Sequence, residues 1–404
     1  MVDTLLTRLE ELYPEMVELR RLLHSEPELS FQEEKTPKLI GDYLERLGVE
    51  VKRNVGSRGV VGYIRGKIPG KTVALRADFD ALPIVEETGL SFASKNPGVM
   101  HACGHDGHTA TLLVLAKALM EYQEQLNGTV VLIFQFAEEI APGGAIEMIK
   151  AGCLDGVDAI YGTHLWSTMP IGAIGYRQGP VMAAADRFQL VIHGRGGHGA
   201  IPHETVDSIA VASSVVTQLQ QIVSRNIDPL KSAVISVGSF HAGGAFNVIA
   251  DSAEIIGTVR TFDPAVQELI IKRIEQIAKG ICEAMGATYT IDYKKGYPAV
   301  INDTFETESF VESVKSIHKE EYVHEMEPVM GGEDFAYYLQ HVPGTFFFTG
   351  AGNQEKGIVY PHHHPKFDFD EDAMLIAAKC LGKAAIDFLE RRNNVSKTEK
   401  EKSI

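Results

Sequence analysis

Apolar residues along the chain recur with two periods. The N-terminal stretch MVDTLLTRLEELYPEMVELRRLLH repeats them at helical spacing between charged residues and predicts an amphipathic helix. VVGYIRG (60–66) and TVALRADFD (72–80) read as strands, HTATLLVLAKALMEYQEQL (108–126) as a long helix. GTVVLIFQFAEE (128–139) and VDAIYGTHLW (157–166) are near-continuous apolar runs, the pattern of strands buried on both faces between helices, and AIEMIKAGCL between them is helical. This alternation predicts an α/β domain with ligand-carrying residues at the carboxyl ends of its strands.

The rhythm changes near residue 185. RFQLVIHG is a strand, residues 205–224 a helix, SAVISVGSF and SAEIIGTVRTF two strands, residues 264–285 a helix and TYTIDYKKG a last strand. The order β-α-β-β-α-β is the ferredoxin-like pattern. After it the chain returns to mixed helix and strand and ends on the amphipathic stretch EDAMLIAAKCLGKAAIDFLERR. The expected architecture is an α/β catalytic domain, with a central mixed sheet flanked by helices, interrupted by a smaller α+β domain. The boundaries read as 1–184, 185–295 for the insertion and 296–392, with a polar disordered tail at 393–404.

Composition narrows the class. With 404 residues, 45% hydrophobic and 23% charged, the chain has the profile of a globular protein of two domains. A formal charge of -16 argues against nucleic acid or an anionic membrane as partner. No apolar run is long enough to span a bilayer, and the charged N-terminus reads as an amphipathic helix rather than a signal peptide. Four cysteines far apart read as free thiols, with cytoplasm as the compartment.

The candidate chemistry gathers at strand ends. HACGHDGHT (101–109) holds one thiol, one carboxylate and three imidazoles. Such groups are costly to bury unpaired. Cys103 and His105, around Gly104, can reach one metal ion. A helix N-terminus there would favour the thiolate. A thiol nucleophile, or a polar helix start around a buried cysteine, are the alternatives. Glu138 and Glu139 follow a buried strand, where alternation would point them to opposite sides, one as metal ligand and one as base. His164 ends another strand, and His362, His363 and His364 precede Pro365. Asp78 and Asp80 could orient an imidazole or serve as turn residues before Pro83. Five mixed donors exceed the four of a closed structural zinc site, so two metal ions fit the set.

Seven segments in order, LRADFDALP, HACGHDGHT, FQFAEE, GRGGHGAIPH, FNVIA, GTVRTF and MGGEDF, together with RRLLHSEPELSFQE (20–33), resemble the metal-dependent N-acyl amino acid amidohydrolases. These are enzymes of the aminoacylase, hippurate hydrolase and auxin-conjugate hydrolase type within the dinuclear metallopeptidases, and the likeness covers nearly the whole chain. It implies a ferredoxin-like lid that commonly dimerises, hence a homodimer or higher homo-oligomer, and a small N-acyl amino acid as substrate. It implies that Cys103, His105, Glu139, His164 and His363 hold two divalent ions (zinc, manganese, cobalt or nickel), His363 because the family's ligand stands two before the proline. Glu138 would be the general base, and Asp78 would support a metal-binding histidine. His198 would stabilise the oxyanion in a neighbouring subunit's site, while Asn247 and Arg260 would bind the substrate carboxylate. The chain departs from the pattern in NVIA, where a proline is commoner after Asn247. It also lacks the His-x-Asp pair and bridging aspartate of the wider group.

Overall fold

The computed structural model describes residues 1–391, so the expected tail at 393–404 lies outside the described residues. The chain divides into two compact units. One comprises residues 1–179, 302–326 and the chain from 337 onward, and the other residues 180–301 and 327–336.

The larger unit is built on an eight-stranded mixed sheet. Its order is Glu50–Val55, Gly59–Arg65, Asn127–Gln135, Ile68–Asp78, Ala159–Pro170, Gly344–Gly352, Ile174–Tyr176 and Val323–Glu325. The four central strands run parallel; an antiparallel pair flanks them on one side, and on the other lie two strands parallel to each other and antiparallel to the centre. From Val130 to Gln135 every residue is buried, as the unbroken apolar run requires. The helices Val2–Ser25, His105–Glu121 and Asp372–Glu390 pack on one another and the last packs on the central strands. Leu5, Leu9, Leu12, Met16 and Leu23 of the first helix are buried, the stripe its spacing predicts.

The smaller unit holds a four-stranded antiparallel sheet in the order Ala233–Ala242, Ser252–Thr261, Ala184–His193, Thr288–Tyr297. With the helices Ser208–Gln221 and Pro264–Met285 this is the ferredoxin-like topology. Phe188, Leu190, Ile192, Ile255 and Val259 of the sheet meet Val215, Leu219, Ile270 and Ile274 of the helices in one core. Local chemistry sets the helix ends. Asp207 accepts from the amides of Ile209 and Ala210, Asp263 caps a helix that starts with Pro264, and Gly286 closes that helix in the left-handed conformation.

The smaller unit runs from 180 to 301, where 185 to 295 was expected, and one further segment departs from the expected boundaries. Residues 327–336, read from the sequence as part of the second catalytic stretch, group with the smaller unit. The cause is backbone pairing: Val329 N–H donates to Val181 (2.9 Å), and Ala183 N–H to the carbonyls of Val329 and Gly331. Such pairing has no hydrophobic period to announce it. No described helix is long and apolar enough to cross a membrane, and all four cysteines are free and buried.

Candidate metal centre

Two parallel strands of the larger unit end level at Asp78 and Gln135, and the neighbouring strand Ala159–Pro170 runs on past that row, so His164 lies within its strand and not at the end as expected. Asp78 pairs with Gln135, and Arg76 with Gly162, so His164, two residues on, stands in the row of Asp78. The helix His105–Glu121 begins against these ends. Gly104 before it has φ +91°, which only glycine adopts without strain, and a Cβ on Gly107 would meet Leu165 and Phe369 at 2.7 and 2.5 Å. The helix start thus lies against the residue that follows His164.

Hydrogen bonds fix which nitrogen of each histidine is available. A carbonyl only accepts, so His105 Nδ1–H donates to the Asp80 carbonyl (3.0 Å), with Asp80 Oδ1 at 3.2 Å. His105 Nε2 is buried without a hydrogen-bond partner, 3.9 Å from Glu139 and 4.0 Å from Glu138. His164 Nδ1–H donates to the Leu165 carbonyl (2.9 Å), leaving Nε2 at 3.4 Å from Cys103 Sγ. His363 Nε2 lies 3.3 Å from Glu139 Oε1. The donor atoms of Cys103, His105 and His164 lie within 4.8 Å of one another, as do those of Cys103, Glu139 and His363, and those of His105, Glu138 and Glu139. Cys103, His105 and Glu139 each belong to two of these groups, an arrangement that would suit two neighbouring cations.

Electrostatics fit a cation. Burial opposes charge on His105, but Asp78, Asp80 and Glu139 outweigh it and push its pKa up to about 10. A dication between these carboxylates supplies the positive charge they otherwise draw from that proton. Burial, then the charges of Glu139, Glu138 and Asp78, hold the Cys103 thiol well above its usual pKa. This corrects the expectation from the helix N-terminus: the dipole is worth at most about 2 kcal/mol, less than burial beside three carboxylates. A thiolate there would need a cation beside it.

Two further expectations change. Strand alternation does not separate Glu138 from Glu139, because the strand ends at Gln135 and Ala137 turns the backbone with φ +50°, so both carboxylates come within 4.0 Å of His105 Nε2. The carboxylate that orients His105 is Asp80. Asp78 Oδ2 stands 3.7 Å from His105 Nε2, while its Oδ1 accepts from His108 Nδ1–H (2.6 Å). His108 Nε2 in turn accepts the Leu165 amide (2.9 Å), so both of its nitrogens are engaged and it is a brace between the strands.

Of the three C-terminal histidines, His363 alone reaches the donor groups, in a left-handed conformation (φ +64°). His362 Nε2 donates to the Leu165 carbonyl, and His364 stacks on Tyr360. The remaining expected residues lie on the smaller unit. His198 is exposed on a two-residue strand paired with Val248, and Asn247 is exposed in the loop before it. Arg260 is half-buried, bonds to Thr258 and to the Val259 carbonyl, and makes no ion pair among the described residues.

The model of the peptidase family M20/M25/M40 matches residues 74–387. The chain belongs to this family. An N-acyl-L-amino acid amidohydrolase of Geobacillus stearothermophilus is 51% identical over 294 residues, 72% of this chain and 79% of that protein. Thermostable carboxypeptidase 1 of Saccharolobus solfataricus is 43% identical over 391 residues, covering 96% and 99%. The crystal structure of Bacillus subtilis YXEP protein, a dinuclear metal-binding peptidase from the M20 family, superposes with a TM-score of 0.82 at 38% identity, covering 94% and 99%. This M20 protein is a metal-dependent hydrolase of amide bonds.

Sequence reasoning left the tier beneath the M20 centre without roles. Arg20 Nε donates to Asp106 (2.9 Å), His24 Nδ1 binds the same oxygen (2.8 Å), and Ser30 Oγ–H donates to Asp80 (2.7 Å). All three lie in RRLLHSEPELSFQE, a segment quoted for resemblance; its polar residues at otherwise buried spacing were the available signal.

Proposed function

We propose that this M20 amidohydrolase cleaves N-acyl amino acids into a carboxylate and a free amino acid. The reading rests on one observation above all: His105 Nε2, buried and without a hydrogen-bond partner, faces the paired carboxylates of Glu138 and Glu139 beside Cys103 and His164. We assign Cys103, His105, Glu139, His164 and His363 as ligands of two divalent ions per subunit, drawn from zinc, manganese, cobalt and nickel. Ions held there lower the pKa of water and polarise an amide carbonyl. The mixed thiolate, imidazole and carboxylate set suits such ions better than magnesium or calcium.

Glu138 takes the proton of the attacking water and returns it to the leaving amine. Asp80 keeps the His105 Nδ1 proton in place and Nε2 turned to the carboxylates. Arg260, a half-buried guanidinium with no ion pair among the described residues, is assigned to the substrate carboxylate together with Asn247, and His198 to the oxyanion. We assign 185–295 as the lid and self-association domain of an oligomer working in the cytoplasm. The four free cysteines agree with a reducing compartment.

The test is Glu138→Gln. The variant is expected to bind metal as the wild type does and to lose at least about a thousandfold in kcat; retained turnover would refute the mechanism. The carboxypeptidase relative supports a second reading, cleavage of peptides. Comparing an N-acetyl amino acid with the matching free dipeptide after metal reconstitution separates the two.

A further inference from the structure

We propose that Glu33 is a positioning residue that holds Glu138 in its proton-transferring orientation by accepting the backbone N–H of Ala137. The inference rests on the assignment of Glu138 as the base.

The turn that carries Glu138 is strained and buried. Ala137 is fully buried with φ +50°, a conformation that alanine rarely adopts. Such a conformation persists where surrounding contacts impose it. Here the Ala137 amide donates to Glu33 Oε1 at 2.9 Å, from a side chain 104 positions earlier and itself fully buried. Two residues on, the Glu139 amide donates to Asp80 Oδ2 at 3.0 Å, and that oxygen also accepts from Ser30. The Phe31 ring meets the Phe136 ring edge-on at 5.8 Å. One short segment, residues 30–33, therefore grips the chain on both sides of Glu138: Phe31 and Glu33 before it, Ser30 through Asp80 after it.

Burial holds Glu33 towards its neutral form in this role. Its Oε2 has no hydrogen-bond partner, and the Arg58 Nε lies 3.9 Å away. Burial, reinforced by the charge of Asp80, pushes its pKa up to about 8. One carboxyl oxygen suffices for the Ala137 amide, so a glutamine can do the same work. Glu33 lies in no metal-donor group among the described residues and acts through the backbone alone.

Glu33→Gln and Glu33→Asp in the full-length, metal-loaded enzyme test the proposal. Aspartate withdraws the acceptor by one methylene, while glutamine keeps it in place. We expect Glu33→Asp to lower kcat roughly ten- to a hundredfold with little change in KM and full metal content, because a small misplacement of a reacting group costs that much. Glu33→Gln should retain most of the wild-type kcat. Hydrogen exchange at the Ala137 amide should quicken in Glu33→Asp and stay slow in Glu33→Gln. A Glu33→Asp enzyme with wild-type kcat, a Glu33→Gln enzyme as slow as Glu33→Asp, or a loss confined to KM would each overturn the inference. The exchange readout needs no turnover. A wild type inactive on every N-acyl amino acid counts against the proposed function alone, and unchanged Ala137 exchange in Glu33→Asp counts against this inference alone.

Discussion

Replacing Arg20 with methionine removes a buried cation that three carboxylates share. Arg20 is 1% exposed, and its guanidinium reaches Asp106 at 2.9 Å, Asp368 at 2.7 Å and Glu371 at 3.2 Å. It also lies over the rings of Phe92 and Phe369, at 4.8 and 4.3 Å, where methionine keeps the packing and a sulfur–aromatic contact. The substitution therefore isolates the loss of charge. Asp368 and Glu371 have side chains 22% and 16% exposed and can rehydrate, whereas that of Asp106 is 0% exposed and cannot. Asp106 keeps only His24 as its buried partner, and breaking its pair with Arg20 costs about 3 kcal/mol, the lower end of the roughly 3–5 kcal/mol for removing one member of a buried ion pair and a large part of the roughly 5–15 kcal/mol that holds a domain folded. Urea unfolding with saturating metal measures it. Arg20→Met should lose about 3 kcal/mol or more. Arg20→Met combined with Asp106→Asn should recover at least half of that, because asparagine still accepts from His24 and carries no charge. A loss below about 1 kcal/mol, the range of an exposed pair, or a double variant no more stable than the single one, would show that the buried charge is not what Arg20 neutralises.

The tier beneath the metal centre makes two further tests. Asp80→Ala should weaken metal affinity about 10–100-fold in a competition titration with a chromophoric chelator, because His105 loses a partner that orients it. Asp78→Asn should weaken it less, since Asp78 braces His108; the reverse ranking would mean that Asp78 orients the ligand after all. His24 supplies a pH test. Burial opposes its charge, but the hydrogen bonds to Asp106 and Glu86 outweigh burial and raise its pKa above the usual 6.5. The folded state therefore holds a proton that the unfolded state releases, so the stability His24 adds is full below pH 6.5 and is lost as pH rises through its folded pKa. The advantage of wild type over His24→Gln in unfolding free energy should shrink from pH 6 to 9, and a gap that is flat across that range would contradict the sign.

The period of apolar positions was enough for the elements because each element is decided within a dozen residues. Pro264 after Asp263 and Gly286 after Met285 bound a helix by chemistry that acts at those positions alone. The sheet order of the smaller unit follows from the succession of its elements, since few topologies close four antiparallel strands with two helices on one face. Asp78 and Asp80 were harder. They lie two apart at the end of the same strand, and only the helix that starts at His105 decides which imidazole each one meets. Ala137 carries no turn signal of its own, and the side chain that accepts its amide, Glu33, lies 104 residues away in sequence.

Cys103 makes the same point about charge. Read locally it sits before a helix, and a helix dipole, which acts within one turn, lowers a thiol pKa. In the fold it is buried, and the ends of two strands bring Asp78, Glu138 and Glu139 to bear on it. A charge that arrives through the fold acts at distances sequence spacing does not measure, and in a buried, weakly screened place it dominates. The same carboxylates that hold the thiol pKa up would favour a dication among them, and such an ion would offset their field at sulfur. The acids that disfavour a thiolate in the absence of metal are therefore also the groups that would favour the ion able to stabilise it.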